Sequence, residues 1–172
     1  MPRAGCRAEC RASPSRADRV SVTLFLLIRL GADRYALEAA QVVEVVPLVR
    51  LKELPGAPEG VAGVMNFRTD AVPVIDLNQL AANVATAQML SSRIVVVRHA
   101  PSNELLGLLV PEATEAVDLD RERFVDAGVA TDGAPYLGPV LTTPEGVIQL
   151  VTVSALLTAE LRDALFRAVD VA

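Results

Sequence analysis

Short apolar runs separated by polar, glycine-containing or proline-containing segments recur along most of the chain. The central example is 61–77, where two apolar runs flank a short polar segment that contains Thr69-Asp70. Such a pattern predicts a β-hairpin, with Asp70 as the turn residue that best tolerates a left-handed backbone. Pro73 lacks an amide N–H, which predicts that the second strand lies at a sheet edge or beside a β-bulge. Asp76 is expected to cap the helix that follows.

The same pattern predicts β-strands over most of the remaining chain. A helix is expected over 77–89, and a second, amphipathic helix over 158–170. The segments 52–58 and 120–131 show no periodicity and are expected to be irregular, whereas 39–46 is expected to begin as a helical turn and continue as a strand. The further predicted strands are 24–30, 35–37, 93–98, 105–110, 112–119, 136–141 and 147–153.

A weak internal repeat relates the two halves of the chain. Shifting the sequence by about 71 positions superimposes Leu37 on Leu108 and Glu44 on Glu115, and each copy ends in a hairpin. This repeat predicts two small β units, about 24–90 and 93–157. Domains of about 60 residues bury little surface alone, so the two units are expected to pack together and share a core. A groove between them is a place where peptides or helices bind.

Composition favours a protein built mainly of β-strands. The chain is 52% hydrophobic but only 3% aromatic, so its core must consist mostly of Val, Leu, Ala and Ile. Its net charge of −5 divides into +3 for the first 20 residues and −8 for the remainder. An acidic body disfavours nucleic-acid binding, which depends on phosphate neutralisation. The apolar runs fall short of the roughly 20 residues of a membrane-spanning helix.

The first 21 residues are predicted to form a disordered basic tail, because they are rich in Arg, Ala, Ser and Pro and lack apolar periodicity. Both cysteines, Cys6 and Cys10, lie in this tail, and two thiols without nearby histidines are only a weak signal for a metal site, since zinc requires more ligands. A start codon assigned too early, with translation beginning near Val20 or Val22, is the alternative interpretation. Without a disulfide framework, a reducing cytosol is the expected compartment.

No combination of residues in the sequence predicts catalysis. His99 is the single histidine, and its place at a strand end predicts a surface side chain. The glycines form no phosphate-binding loop, and the serines lack the surroundings of an activated nucleophile. We therefore expect neither an enzyme nor a bound cofactor or metal.

Three segments resemble the CheW family of chemotaxis coupling proteins. They are Tyr35–Val45, Gly63–Arg68 with the sequence Gly-Val-Met-Asn-Phe-Arg, and Val72–Leu77 with the sequence Val-Pro-Val-Ile-Asp-Leu. The resemblance covers about residues 22–160 and implies two five-stranded SH3-like β-barrels around a shared core. It implies a non-enzymatic cytoplasmic adaptor at receptor arrays of the inner membrane. Such an adaptor links the cytoplasmic tip of methyl-accepting chemoreceptors to the regulatory domain of a CheA-like histidine kinase.

By position, Arg68 matches the family arginine that helps to bind partners, whereas Val42 and Glu44 match residues near the groove for the receptor tip. The alternative is that Glu44 is a solvent-facing strand residue and Val42 a core residue. Thr69 replaces a family glycine and Thr152 an aspartate; with the run 30–37, they make the chain look similar to coupling proteins of Wsp-type surface-sensing pathways. A stand-alone SH3-like peptide-binding module is the alternative function.

Overall fold

A computed structural model describes residues 22–100, 103–126, 128, 134–157, 162 and 165. These residues form ten β-strands, one short α-helix and three single-turn 3-10 helices at 39–41, 121–123 and 153–155. The basic tail and most of the predicted C-terminal helix lie outside the described residues. The strands and the helix are β1 (Val22–Leu30), β2 (Asp33–Glu38), β3 (Val42–Pro47), β4 (Val61–Phe67), β5 (Asp70–Asp76), α1 (Leu77–Ala82), β6 (Arg93–His99), β7 (Glu104–Val110), β8 (Glu112–Asp120), β9 (Leu137–Thr143) and β10 (Gly146–Val151).

The strands form two five-stranded sheets, in the orders β8-β1-β2-β10-β9 and β3-β6-β7-β5-β4. We call these the first and second barrel. The prediction that each barrel is one continuous segment, about 24–90 or 93–157, is wrong. Each barrel combines the first two strands of one repeat with the last three of the other, through parallel pairing of β2 with β10 and of β5 with β7. Neither repeat completes a barrel alone, so the two halves must fold together.

Each barrel is closed by the segment that follows the third strand of a repeat, β3 in the second barrel and β8 in the first. After β3 the chain crosses the second barrel, and Lys52 exchanges two backbone hydrogen bonds of 2.8 Å with Val64 of β4. After β8 the chain crosses the first barrel in the same way, and Val125 pairs with Val140 of β9. This matching closure confirms that the repeat read from the sequence is structural.

Successive side chains of a strand point to opposite faces, and in β5, β6 and β7 most residues of both faces are buried. Side chains of one face from each barrel meet in a shared core, and those of the other face fill the two barrel interiors. This double burial explains why the strands read as continuous apolar runs. The shared core includes Ile28, Leu30, Tyr35, Leu37, Val95, Val97, Leu106, Leu108 and Leu165; the first interior includes Phe25, Leu27, Ala36, Ile148 and Leu150; the second includes Met65, Phe67, Val72, Val74, Ile94 and Val96.

Pro73 lies in an internal strand, because β5 is paired on both sides. The other predicted possibility, a neighbouring bulge, is confirmed by a register shift between Val61 and Gly63 of β4. Val64, the partner of Pro73, directs its N–H and C=O to Lys52. The Val64–Pro73 pair is therefore one without mutual hydrogen bonds, so the missing N–H weakens no bond between β4 and β5.

The predicted cap of the short helix is confirmed, since the Asp76 carboxylate accepts the Gln79 N–H at 3.1 Å. The predicted extent, 77–89, is too long. The helix α1 ends at Ala82, where Asn83 adopts a left-handed φ of 54°. Residues 83–92 form a connection without a helix, held by side-chain hydrogen bonds described below.

Candidate functional site

Arg68 lies in the two-residue turn between β4 and β5. Phe67 pairs with Asp70, so the turn residues are Arg68 and Thr69, and the predicted Thr69-Asp70 turn is displaced by one residue. Arg68, with φ of 61°, has the left-handed backbone that was expected for Asp70. Left-handed backbone costs an ordinary residue about 1–2 kcal/mol. The chain therefore holds a long cationic side chain where a glycine would be less strained.

Two neighbours orient the Arg68 side chain. Its Nη2 donates to Oε2 of Glu44 at 3.2 Å, and this ion pair joins the hairpin turn to β3 at the opposite edge of the second barrel's sheet. Its guanidinium carbon lies 5.1 Å from the ring centroid of Phe67, within the range of a cation–π contact. The structure thus brings together two of the three residues proposed from the sequence.

Val42 lies on the same strand as Glu44 but faces elsewhere. It is half-buried against the shared core and pairs with Val97 of β6. A register shift between Val42 and Glu44 breaks the alternation of faces, so Val43 and Val46 both pack toward the second barrel's interior. Such a bulge redirects side chains. As a result, Val42 is half-buried and the Glu44 side chain is exposed, although both belong to β3.

The chemistry of this surface suits recognition of a carboxylate or carbonyl. The side chain of Arg68 is 71% exposed. A guanidinium carries five N–H donors in a planar fork, and the Glu44 contact engages one of its nitrogens. The remaining donors belong to a largely exposed side chain on a backbone that is fixed by the hairpin. A fixed fork loses less entropy on binding than a free arginine does.

His99 is 2% exposed, so the prediction of a surface histidine is wrong. It follows Val95 and Val97 on the shared-core face of β6 by the alternation of the strand. Burial lowers the pKa of His99; a backbone hydrogen bond with Ser154 acts in the opposite direction, Arg162 lowers the pKa further, and Glu104 raises it. The ring is therefore neutral at pH 7 and belongs to the core.

Other titratable groups of the interior also have structural surroundings. Burial raises the pKa of the Tyr35 hydroxyl, and the negative charge of Asp33 raises it further. Burial likewise raises the pKa of Tyr136, with a smaller contribution from Tyr35. Within the described part of the chain, no group of three or more His, Cys, Asp or Glu side chains has the geometry of a metal site.

Sequence reasoning missed a groove beside the 83–92 connection. Its volume is about 840 Å³, and it lies between the crossing segment 48–53 and the segment 85–90. Three of its apolar lining residues are exposed: Val49 by 45%, Met89 by 64% and Leu90 by 98%. The signal in the sequence was the apolar pair Met89-Leu90 inside a segment that was otherwise read as a helix end and linker.

No helix in the described residues is long and apolar enough to cross a membrane.

Comparisons with known proteins agree with this architecture. The chain is 28% identical over 109 residues to "Chemotaxis protein CheW" of Helicobacter pylori, an alignment of 63% of this chain and 65% of that protein, so it spans slightly less than two thirds of that relative. It is 24% identical over 138 residues to "Chemotaxis protein CheW" of Klebsiella aerogenes, covering 79% of this chain and 82% of the relative.

The crystal structure of the scaffolding protein TtCheW from Thermoanaerobacter tengcongensis is similar, with a TM-score of 0.72 and 22% identity. The superposition covers 90% of this chain and 96% of that one. This likeness supports the two-barrel fold. The sequence model of the CheW-like domain matches residues 24–161, which is most of the chain and nearly all of its described part. The chain therefore belongs to the CheW-like domain family.

Proposed function

We propose that this protein is a non-enzymatic adaptor that couples methyl-accepting chemoreceptors to a CheA-like histidine kinase. Family membership supports a role in chemosensory signalling, and both curated relatives are named as chemotaxis proteins. In this role the protein docks two partners and transmits changes in their geometry, with no reaction on this chain. Its place of action is the cytoplasmic face of the receptor array.

The observation that carries the proposal is the exposed Arg68 in its left-handed turn. Strained backbone persists where a function selects it, and here the strain fixes an exposed guanidinium at the tip of a hairpin. Glu44 orients that guanidinium, and its own side chain is 45% exposed. We assign Arg68 and Glu44 to the partner-binding surface. Val42 has a supporting role, because it packs against the shared core and so helps to fix the strand that carries Glu44.

The test is calorimetric titration with the regulatory domain of the CheA-like kinase encoded nearest to this protein. Arg68→Ala is expected to weaken micromolar binding about tenfold, as loss of an interfacial arginine commonly does. The melting temperature should change by no more than a few degrees, because an exposed substitution rarely costs more than about 0.5 kcal/mol.

A matched control is available on the first barrel. Arg29 is also an exposed arginine, 54% by its side chain, and lies 3.8 Å from Glu112. Arg29→Ala removes the same charge and a similar ion pair, and should leave kinase binding within about twofold. Equal losses of kinase affinity for both variants would show that binding depends on net charge and not on the Arg68 surface. Absence of binding at saturating kinase would instead favour a stand-alone peptide-binding module.

The assignment to a Wsp-type pathway stays a prediction. The residues behind it are Thr69 in the strained turn and Thr152 after β10. Titration against receptor tips from the flagellar and surface-sensing systems of one organism, each in turn, would measure the preference directly.

A further inference from the structure

We propose that the groove beside the 83–92 connection is a second docking surface, which binds an amphipathic helix whose apolar stripe is flanked by carboxylates. We call it the linker groove; it is lined by 48–51 and Glu53 on one side and by residues within 85–90 on the other. Ala62 and Leu109 lie beneath it. This inference goes beyond the proposed coupling role of the Arg68 surface and does not depend on it.

The 83–92 connection is ordered by a set of hydrogen bonds although it has no regular secondary structure. The buried Asp76 carboxylate accepts from both the N–H and the hydroxyl of Thr86 at 2.7 Å. Asn78 donates to the carbonyl of Val84 at 2.8 Å. Ser92, 1% exposed, donates to the carbonyl of Ala87 at 2.7 Å. The connection is therefore fixed at both ends and near its middle.

This fixed connection holds its largest apolar side chains away from the core. Leu90 is 98% exposed and Met89 64% exposed, while Val49 on the facing wall is 45% exposed. Single exposed apolar residues are common, but several around one concave surface indicate a binding site. Methionine adapts its shape to varied apolar partners. The arrangement has the elements of an apolar binding surface on an ordered support.

The shape of the groove favours a helix over a strand. A strand binds by adding to a free sheet edge, but the edge of β4 next to the groove is already paired, since Lys52 and Val64 exchange backbone hydrogen bonds there. A helix instead inserts side chains at spacings of three and four residues. A volume of about 840 Å³ has room for several such side chains.

The charges around the groove predict which residues lie beside the apolar stripe of the bound helix. Arg50 and Glu53 both line the groove, exposed Lys52 lies between them in the chain, and Arg93 donates to the carbonyl of Leu90 on the other wall. The cationic side chains in or beside the groove therefore outnumber Glu53. Asp76 also lines the groove but is 4% exposed and its charge is engaged by the Gln79 and Thr86 donors. This basic rim stands on a body with a net charge of −8. Charge complementarity therefore favours acidic flanks.

The linker groove and the Arg68 surface lie at opposite ends of β5. Arg68 precedes the first residue of that strand, whereas Asp76 is its last. At about 3.3 Å per residue the two surfaces are roughly 20 Å apart. One partner can therefore occupy each surface without displacing the other.

The experiment uses the full chain and two synthetic helical peptides of roughly 18 residues. Both carry leucines on one stripe; one has glutamates beside the stripe and its twin has lysines. Amide shifts in NMR spectra locate binding, and titration gives its strength. The glutamate peptide should shift residues 48–53 and 84–92 and bind at least about fivefold more tightly than the lysine peptide.

Leu90→Ser should weaken the glutamate peptide about tenfold, because it removes one buried leucine from the interface. Val147→Ser is the matched control: Val147 is 55% exposed on the first barrel, and its loss should leave binding unchanged. Arg68→Ala should also leave it unchanged, so this proposal and the proposed function fail separately. The near-complete exposure of Leu90 means that its variant should fold normally, as an unchanged melting temperature would show.

Three results would overturn the proposal. One is a binding site centred on Arg68 or on the first barrel. Another is a lysine peptide that binds as tightly as the glutamate peptide. The third is self-association in sedimentation that Leu90→Ser abolishes, which would make a second copy of the chain the occupant.

Discussion

The β4–β5 and β9–β10 hairpins occupy equivalent places in the two barrels but use their turns differently. Val74 of β5 pairs with Gly107, and Leu150 of β10 pairs with Ala36, at positions that the repeat superimposes. The turn of the first hairpin is Arg68-Thr69, and that of the second is Pro144-Glu145. One architecture thus carries two turns of different chemistry.

In the β9–β10 hairpin the charged turn residue Glu145 forms an ion pair within the barrel. Glu145 accepts from Arg34 of β2 at 2.8 Å, and Arg34 also donates to Thr143 at 3.4 Å. The side chain of Arg34 is 23% exposed, so this pair ties the turn to a neighbouring strand. Arg68 in the first hairpin is 71% exposed and held on strained backbone. One turn therefore stabilises its barrel, whereas the other holds an exposed guanidinium, as the proposed binding role requires.

The hairpins also end differently. Asp76 follows β5, is 4% exposed and accepts three hydrogen bonds, two of them from Thr86. Thr152 follows β10 at the equivalent place and makes no side-chain cap to the 3-10 turn after it. Only the first repeat therefore uses its hairpin end to organise a following connection, the one that forms a wall of the linker groove.

The largest expected effect on stability concerns the contrast between Asp76 and Thr152 at the ends of the two hairpins. Asp76→Ala should lower the free energy of unfolding by about 3 kcal/mol, because it removes a helix cap and leaves the Thr86 donors without their acceptor. Thr152→Ala should cost under about 1 kcal/mol, since no capping bond is lost. Urea unfolding of both variants measures the difference.

Asp76→Asn refines the measurement. An amide keeps one acceptor oxygen but loses the charge, so the free energy of unfolding of Asp76→Asn should lie between that of the wild type and that of Asp76→Ala. Equal losses for Asp76→Ala and Thr152→Ala would contradict the claim that the two hairpin ends differ in their role.

The sequence was sufficient to predict the strands, the repeat and the cap at Asp76, because each depends on local periodicity or on residues close in the chain. It could not predict which strands pair. The exchange of strands between repeats arises from the parallel contacts of β2 with β10 and β5 with β7, which join residues over 30 positions apart. Two barrels made of contiguous segments and two barrels that exchange strands would have the same apolar pattern in the sequence, so the pattern cannot distinguish them.

The residues of the candidate site stay a prediction, and their geometry could not be predicted from the sequence. Arg68 and Glu44 came from resemblance to a family motif, and the ion pair between them crosses from one edge of the sheet to the other. His99 was misjudged because alternation alone does not say which strand face a partner barrel covers. Leu90 was overlooked because an exposed leucine in a connection has no periodicity to mark it.

A smaller effect tests the strain in the Arg68 turn. Arg68→Gly should be more stable than Arg68→Ala by about 0.5–1 kcal/mol, because glycine adopts the φ of 61° without steric cost, although it loses more entropy on folding. Both variants lack the ion pair, so that contribution cancels. Chemical unfolding of the two proteins gives the difference.

Thr69 supplies the control within the same turn. It is not among the described residues with positive φ, so Thr69→Gly should be less stable than Thr69→Ala. Kinase binding should be weak in both Arg68 variants despite their different stabilities. If Arg68→Gly is the less stable of its pair, the turn is not strained, and the argument from strain to function is lost.

The smallest expected effect separates the two ion pairs. Double-mutant cycles on Arg68 with Glu44, and on Arg34 with Glu145, isolate each coupling energy. The Arg68–Glu44 pair is solvent-exposed on both sides and should contribute about 0.2–0.5 kcal/mol, falling as salt screens it. The Arg34–Glu145 pair should contribute more, near 1 kcal/mol, because Arg34 is largely buried and its contact is shorter. A stronger, salt-insensitive Arg68–Glu44 coupling would mean that the guanidinium is committed to the fold. Weak coupling instead leaves Arg68 available to a partner, because little free energy is lost when it turns from Glu44 to another carboxylate.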